Sequence, residues 1–102
     1  MKTLIDKLIS CEKLLRSVKE NFWANKIHVL LIEAKENIDV YVVEMILLWY
    51  GGSGSLNDLI ISEHNNHVLN GKNEQNINSE LNQLRNEIYQ EAFFLKRNFN
   101  NF

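Results

Sequence analysis

The chain has 102 residues, of which 45% are hydrophobic and 24% are charged. This length fits one domain, and the apolar fraction is sufficient for one hydrophobic core, which excludes wholesale disorder. The formal net charge is −2, which argues against nucleic acid as a direct partner because phosphate binding requires clustered Lys and Arg. We therefore expect a single domain over residues 1–102.

Cysteine usage, proline usage and the length of apolar runs further limit the class of protein. Cys11 is the only cysteine, so it has no intramolecular disulfide partner and nothing indicates an oxidising compartment. No apolar run approaches the roughly 20 residues that a membrane span needs. The chain contains no proline, so helices can run without the steric breaks that proline imposes. These features favour a soluble, helical, cytoplasmic protein without a membrane partner.

Apolar residues recur at helical spacing in the first third of the chain. An amphipathic helix is predicted over residues 3–22, and a second helix from about Trp23 or Asn25 to Glu36. The first stripe consists of Leu4, Leu8, Cys11, Leu15, Val18 and Phe22, and the second of Ile27, Leu30, Leu31 and Ala34. Asn37 suits the end of the second helix, because Asn tolerates the left-handed conformation found there.

The third predicted helix, residues 40–50, is apolar on almost every side, and Glu44 is its only charged residue. Asp39 is a suitable N-cap, because its side chain can accept hydrogen bonds from the unpaired N–H groups of the first turn. A helix without a polar face must be covered on most sides, so we expect this one at the centre of the core. Its β-branched residues leave a strand possible.

Glycines in residues 51–55 end this helix, because glycine relieves the steric cost of positive φ. Residues 56–61 are predicted to be extended or a single helical turn, and the polar residues 62–76 a surface loop. The last helix is predicted over about residues 76–98, with residues 98–102 as a frayed end. Its stripe is Ile77, Leu81, Leu84, Ile88, Ala92, Leu95 and Phe99. The elements together predict an all-α fold, a compact bundle of about four helices.

The histidines are the first candidates for chemistry. His64 and His67 lie near Asp58 and Glu63, and these residue types can ligate zinc. Their spacing matches no zinc motif, and the surrounding Asn residues indicate a solvated loop, so we predict no metal site. His28 is expected to be a partly buried residue of the second helix.

The glycine-rich turn is the second candidate. Ser53, Ser55 and the loop histidines have no spacing typical of a nucleophile and its base. Gly54 is not followed by the Lys and Ser or Thr of a phosphate loop, and no strand precedes the turn as in a dinucleotide fingerprint. We therefore predict no catalytic residue, no enzymatic activity and no cofactor. The residues assigned to a structural turn are Gly51, Gly52, Gly54, Ser55 and Asn57.

Large aromatic side chains are expected mostly in the core, and one or two left exposed beside acidic residues would form a protein-binding patch. They are Trp23, Tyr41, Trp49, Tyr50, Phe93 and Phe94.

Three features of the chain resemble a family of small bacterial proteins. Ala24 follows Trp23, an apolar helix ends in Trp49 and Tyr50, and residues 51–59 read Gly-Gly-Ser-Gly-Ser-Leu-Asn-Asp-Leu. The family signature is a Trp-Ala pair, an aromatic-Gly-Gly-x-Gly-Ser-x-Asn-Asp-Leu turn and a Leu-rich C-terminal helix.

This resemblance covers roughly residues 22–95, and the family has no assigned activity. Ser53 stands where the family often has Met, and Leu56 stands where an aromatic residue is common. The resemblance therefore implies a turn that packs less tightly here.

Small, acidic, helical and Asn-rich bacterial proteins of this kind resemble immunity proteins of contact-dependent inhibition systems. The analogy implies an antitoxin that binds a cognate toxin domain, such as a basic nuclease, because carboxylates can mimic phosphates and speed association. The residues expected to contact the toxin are Asp58, Glu63, Glu74, Glu80, Glu87 and Glu91. The alternative is a self-associating structural module that buries the stripe of residues 77–99. We expect a monomer rather than a homodimer.

Overall fold

Helices form most of the chain. The computed structural model describes residues 2–52 and 54–100. Within these residues it contains the α-helices α1 (Lys2–Ser17), α2 (Asn21–Glu36), α3 (Val40–Leu48) and α4 (Glu74–Asn100), and the 3-10 turns Leu56–Asp58 and Glu63–Asn65. The described part of the chain contains no strand. The protein is therefore an all-α bundle of four helices over these residues, as its periodicity predicts.

The core lies between α1 and its two neighbours. Helix α1 packs against both α2 and α4, and α3 packs mainly against α4. The stripes predicted for α2 and α4 are the buried faces of these helices, with only Phe99 half-buried. In α1, Leu4, Leu8, Cys11 and Leu15 are fully removed from solvent. Burying one such leucine stabilises the fold by about 1.5–3 kcal/mol, so these stripes hold the bundle together.

Helix α1 ends earlier than its apolar spacing predicts. Lys19 adopts a left-handed φ of 64°. The N–H of Glu20 donates to the carbonyl of Leu15 at 2.9 Å, and the N–H of Lys19 donates to that of Arg16 at 3.1 Å. This pair of bonds is the Schellman ending of a helix, which usually requires glycine at the left-handed position. Lysine in that position gave no signal in the sequence.

The predicted first helix, residues 3–22, is therefore wrong beyond Ser17. Helix α2 already begins at Asn21, before the predicted start, because the Glu20 carboxylate accepts from the N–H of Trp23 at 3.1 Å and caps it. Phe22 continues the spacing of α1 by coincidence. It lies on α2 and its side chain is 64% exposed.

The junction between α2 and α3 confirms one prediction and corrects another. The Asp39 carboxylate accepts from the N–H of Val42 at 3.0 Å, which confirms the N-cap of α3. Asn37 ends α2, but its φ of −164° is extended rather than left-handed. Asn37 and Asp39 both have extended backbone angles, so the chain enters the non-helical geometry that an N-cap requires.

Helix α3 is not the covered central helix that its composition predicts. Val42, Val43 and Ile46 are buried, but Tyr41 and Leu48 are 53% and 69% exposed. Because α1 lies between α2 and α4, α3 packs closely against α4 and meets α2 at only a few positions. Its opposite side therefore presents apolar side chains to solvent.

The segment after α3 matches its prediction in part. Residues 56–61 form one 3-10 turn and then an extended stretch. Residues 62–73 form a loop that contains a second 3-10 turn, and α4 begins at Glu74, before the predicted start at about residue 76. The predicted frayed end is wrong as far as Asn100, to which α4 extends, while residues 101–102 and Ser53 lie outside the described residues. None of the helices in the described part has the length and apolar composition needed to cross a bilayer.

Candidate functional site

The glycine-rich turn is held onto α4 by one buried arginine. Arg85 is 7% exposed, and its Nη1 donates to the carbonyls of Leu56 at 2.8 Å, Leu59 at 2.7 Å and Asn57 at 3.3 Å. Its Nη2 donates to the side-chain oxygen of Asn82. The guanidinium thus satisfies the carbonyls of Asn57 and Leu59, and it adds a second donor to the Leu56 carbonyl, which already accepts from the N–H of Leu59.

Two further hydrogen bonds close the turn on itself. The N–H of Leu56 donates to the carbonyl of Trp49 at 2.8 Å, and the N–H of Gly54 donates to the Asp58 carboxylate at 3.2 Å. Gly52 and Gly54 have positive φ, whereas Gly51 does not. A Cβ added at any of the three would meet no atom within 4 Å, so the difference between them lies in backbone conformation. Backbone conformation therefore favours glycine at two of these three positions.

Arg85 lies close to the buried Cys11 and to the half-buried Tyr50. Burial lowers the pKa of Arg85, and the nearby Tyr50, Cys11 and Asp58 act in the opposite direction. Burial raises the pKa of Cys11 to about 12, which keeps the thiol protonated and unreactive. Burial also raises the pKa of Tyr50, whose hydroxyl donates to the carbonyl of Arg85 at 2.8 Å. This cluster has the properties of a structural core.

Sequence reasoning missed Arg85, although a signal exists. Leu81, Leu84, Arg85 and Ile88 have the i, i+3, i+4, i+7 spacing of one helix face, and a charged residue at such a position must find buried acceptors. Ser55 is also buried, and its hydroxyl has no hydrogen-bond partner within the described residues.

The two loop histidines differ. His64 is exposed, as a solvated loop predicts, but His67 is 6% exposed, so that prediction is wrong for it. Its Nδ1 lies 2.9 Å from the N–H of Ser62, and its Nε2 lies 2.8 Å from a carboxylate oxygen of Glu20. The tautomer with its N–H on Nε2 satisfies both contacts, because Nδ1 then accepts from Ser62 and Nε2 donates to Glu20. Because both ring nitrogens have internal partners, this imidazole joins the loop to the α1–α2 junction.

His28 is not partly buried as predicted. Its side chain is 53% exposed and its Nδ1 lies 3.1 Å from the Glu12 carboxylate. Burial opposes ionisation of Glu12, but hydrogen bonds from Arg16 and His28 outweigh it and lower the pKa of this carboxyl. Within the described residues, no group of three His, Cys, Asp or Glu side chains could hold a metal ion.

The carboxylates predicted to contact a partner do not form one cluster. Glu87 is paired with Lys7 of α1 at 2.9 Å, and Glu80 lines a shallow pocket with Lys13 and Lys72. Hydrogen bonding from Lys7 lowers the pKa of Glu87. Cations of α1 and the loop therefore offset part of the predicted acidic face.

The remaining predicted carboxylates lie in other places. Asp58 and Glu74 line a polar groove of about 730 Å³ between residues 57–60 and the start of α4. Glu63 is exposed in its 3-10 turn, and Glu91 is half-buried on α4. Asp58 and Glu74 thus share a concave surface that the other predicted binding residues do not line.

A second groove lies between α2 and α3 and is apolar. It encloses about 440 Å³. Its lining residues are Phe22, Asn25, Lys26, Val29, Leu30, Glu33, Tyr41, Met45 and Trp49. Phe22 and Val29 are each 64% exposed on one wall and Tyr41 is 53% exposed on the other, whereas Leu30 and Trp49 are almost fully buried. We call this surface the α2–α3 groove.

The α2–α3 groove was also missed by sequence reasoning. Phe22, Lys26, Val29 and Glu33 recur at helical spacing and form a second stripe on α2, apart from the buried one. Among the predicted core aromatics, Trp23 and Trp49 are buried, but Tyr41, Phe93 and Phe94 are exposed. The prediction of mostly buried aromatics is therefore wrong for these three.

Residues 16–70 match a family described as a Domain of unknown function (DUF6966). The match spans just over half of the chain. The chain belongs to this family. The DUF6966 segment contains the whole α2–α3 groove, the glycine-rich turn and His67, whereas Arg85 and the rest of α4 follow it. No curated protein and no solved structure matches the chain.

Proposed function

We propose that this DUF6966 protein is an immunity protein that binds and neutralises a cognate bacterial toxin domain by protein–protein contact in the cytoplasm. The observation that carries the proposal is the α2–α3 groove, which leaves Phe22, Val29 and Tyr41 more than half exposed. Contiguous apolar surface with a polar rim is typical of protein-interaction sites. The kind of partner, a toxin domain, is taken from the resemblance to immunity proteins.

An interface of this kind needs anchoring side chains. Burying an exposed Phe or Val fully is worth about 1.5–3 kcal/mol, and aromatic residues near the centre of an interface contribute most of its affinity. Phe22 and Tyr41 from the two walls are suitably placed. We therefore assign the anchoring role to the groove.

The carboxylates have a different role in the proposal. Asp58, Glu63, Glu74, Glu80 and Glu91 are spread over the surface, and the chain carries a net charge of −2. Dispersed charges act over a distance of about 10 Å and raise the rate of association with a basic partner. A basic nuclease domain has the required charge, and its attraction to the carboxylates would decrease with added salt.

The exposed aromatics of α4 favour a second candidate function, a self-associating structural module. The stripe of residues 77–99 is used within the monomer, but Phe93 and Phe94 are 46% and 57% exposed. A second copy could cover them. Light scattering separates the two candidates, since the immunity protein is expected to be a monomer without its toxin.

Coexpression with the product of the adjacent upstream gene tests the proposal. We expect the wild-type protein to restore growth of cells that express this toxin and to co-purify with it in a stoichiometric complex. A Tyr41→Ser variant should lose rescue, and an Ile32→Ser variant, exposed on α2 outside the groove, should retain it. Absence of both rescue and complex for the wild type would contradict the proposed function.

A further inference from the structure

We propose that the α2–α3 groove binds an amphipathic helix of the partner, with a lysine or arginine of that helix opposite Glu33. This inference rests on the proposed function for the identity of the partner, and it adds the surface, the secondary structure and the charge of the bound segment.

The dimensions of the groove fit a short helix. Its α2 wall extends from Phe22 to Glu33, which corresponds to about 16 Å at the rise of an α-helix. This length matches about three helical turns, and apolar residues at i, i+4 and i+7 of a bound helix would face the floor. The floor is formed by Leu30, Met45 and Trp49, whose large side chains suit such apolar contacts.

The charged residues on the rim indicate which charge the bound helix should carry beside them. Lys26 lies over the rings of Phe22 and Trp23, with its Nζ 5.2 and 4.8 Å from their centroids, so its charge is already directed onto aromatic faces. Glu33 is exposed and takes part in no ion pair within the described residues. A cation on the bound helix would therefore complement the rim at Glu33.

Hydrogen bonds within the protein hold the polar end of the rim in place before a partner binds. The side-chain oxygen of Asn25 accepts from Arg16 at 3.1 Å, and Arg16 also binds Glu12 at 2.7 Å. These contacts join α2 to α1, which holds the α2 wall in place. A wall that is ordered before binding lowers the entropic cost of association.

The test uses a synthetic helical peptide of about 15 residues, long enough to cover three turns, with Leu at i, i+3, i+4 and i+7 and Lys on the flank. Two control peptides have Glu in place of Lys, or the same composition in scrambled order. Binding is followed by the indole N–H signal of Trp49 in ¹H–¹⁵N NMR spectra. We expect the Lys peptide to shift this signal in a saturable manner and the scrambled peptide to leave it unchanged.

Matched variants locate the contacts. Glu33→Gln should weaken the Lys peptide by about fivefold, the effect of losing one partly exposed ion pair, whereas Glu36→Gln, exposed on the same helix outside the groove, should leave it unchanged. Val29→Ser should abolish binding and Ile32→Ser should not. Thermal unfolding of each variant, measured by circular dichroism, checks that the fold is intact.

Three results would overturn the inference. They are equal binding of the scrambled peptide, equal effects of Glu33→Gln and Glu36→Gln, and shifts of the Trp49 signal with protein concentration alone, which would show that a second copy occupies the groove. If Val29→Ser still rescues toxin-expressing cells, the inference about the groove is wrong, but the proposed immunity function is not contradicted. If the protein binds the peptide but rescues no cell, the immunity function is wrong, but binding of a helix in the groove is not contradicted.

Discussion

The polar groove and the α2–α3 groove use their side chains in opposite ways. Around the polar groove, Arg85 donates to backbone carbonyls, and Asp58 accepts from the turn that it borders. Around the α2–α3 groove, Phe22 and Tyr41 are turned to solvent with more than half of their surface exposed. Polar groups used within the chain stabilise the fold, whereas apolar groups left outside it are available for binding. Substitutions in the two regions should therefore affect different properties.

The largest effect is expected at Arg85. Arg85→Met keeps an apolar stem but leaves the carbonyls of Asn57 and Leu59 without this donor, and an unpaired buried group costs about 1–3 kcal/mol. Since water can reach part of the turn, we expect a loss of about 3 kcal/mol in the free energy of unfolding, measured by urea denaturation. Arg97→Met, an exposed position of α4, is the control. Equal stabilities of the two variants would contradict the structural role.

A smaller loss is expected at His67. His67→Leu preserves bulk but leaves the Glu20 carboxylate and the N–H of Ser62 without this partner, which should cost about 2 kcal/mol. His64→Leu, at an exposed position of the same loop, should change the free energy of unfolding by less than about 0.5 kcal/mol. If the two histidine variants unfold at the same urea concentration, His67 does not join the loop to the helices.

The glycines of the turn provide a finer comparison. Gly54→Ala introduces a Cβ at a φ of 76° and should cost about 1 kcal/mol, because this conformation is unfavourable for L-residues. Gly51→Ala has no such conflict and should be neutral or slightly stabilising. Thermal unfolding by calorimetry separates them. A greater loss at Gly51 would show that the turn is held in another way.

The smallest effect on stability is expected in the α2–α3 groove. Tyr41→Ser removes a side chain that is 53% exposed, so the free energy of unfolding should change by less than about 0.5 kcal/mol. Binding of the Lys peptide should nevertheless be lost. A loss of stability as large as that of Arg85→Met would show that Tyr41 belongs to the core, and the contrast between the grooves would disappear.

Periodicity predicted the parts of the fold that depend on burial. The stripe from Ile77 to Leu95 is the buried face of α4, and Asp39 caps α3 as its side-chain chemistry requires. The end of α1 could not be predicted, because Lys19 takes a left-handed position that normally indicates glycine. The apolar spacing continued through this break, which placed Phe22 on the wrong helix.

The sites were less predictable than the fold, because they depend on how helices are arranged. Composition alone placed α3 in the centre, but α1 lies there, and the uncovered side of α3 forms one wall of the α2–α3 groove. Arg85 and His67 are distant in sequence from the partners of their side chains, Leu56 and Glu20. Such pairings become visible only when the chain is folded.

The affinity of the Lys peptide for two matched variants tests the contrast between the grooves most directly. Val29→Ser changes the α2–α3 groove, and Glu74→Gln changes the polar groove. We predict that titration calorimetry will detect no binding by Val29→Ser and an affinity within about twofold of wild type for Glu74→Gln, a difference below about 0.5 kcal/mol. Retained binding by Val29→Ser would contradict binding in the α2–α3 groove, and lost binding by Glu74→Gln would show that the polar groove takes part in it.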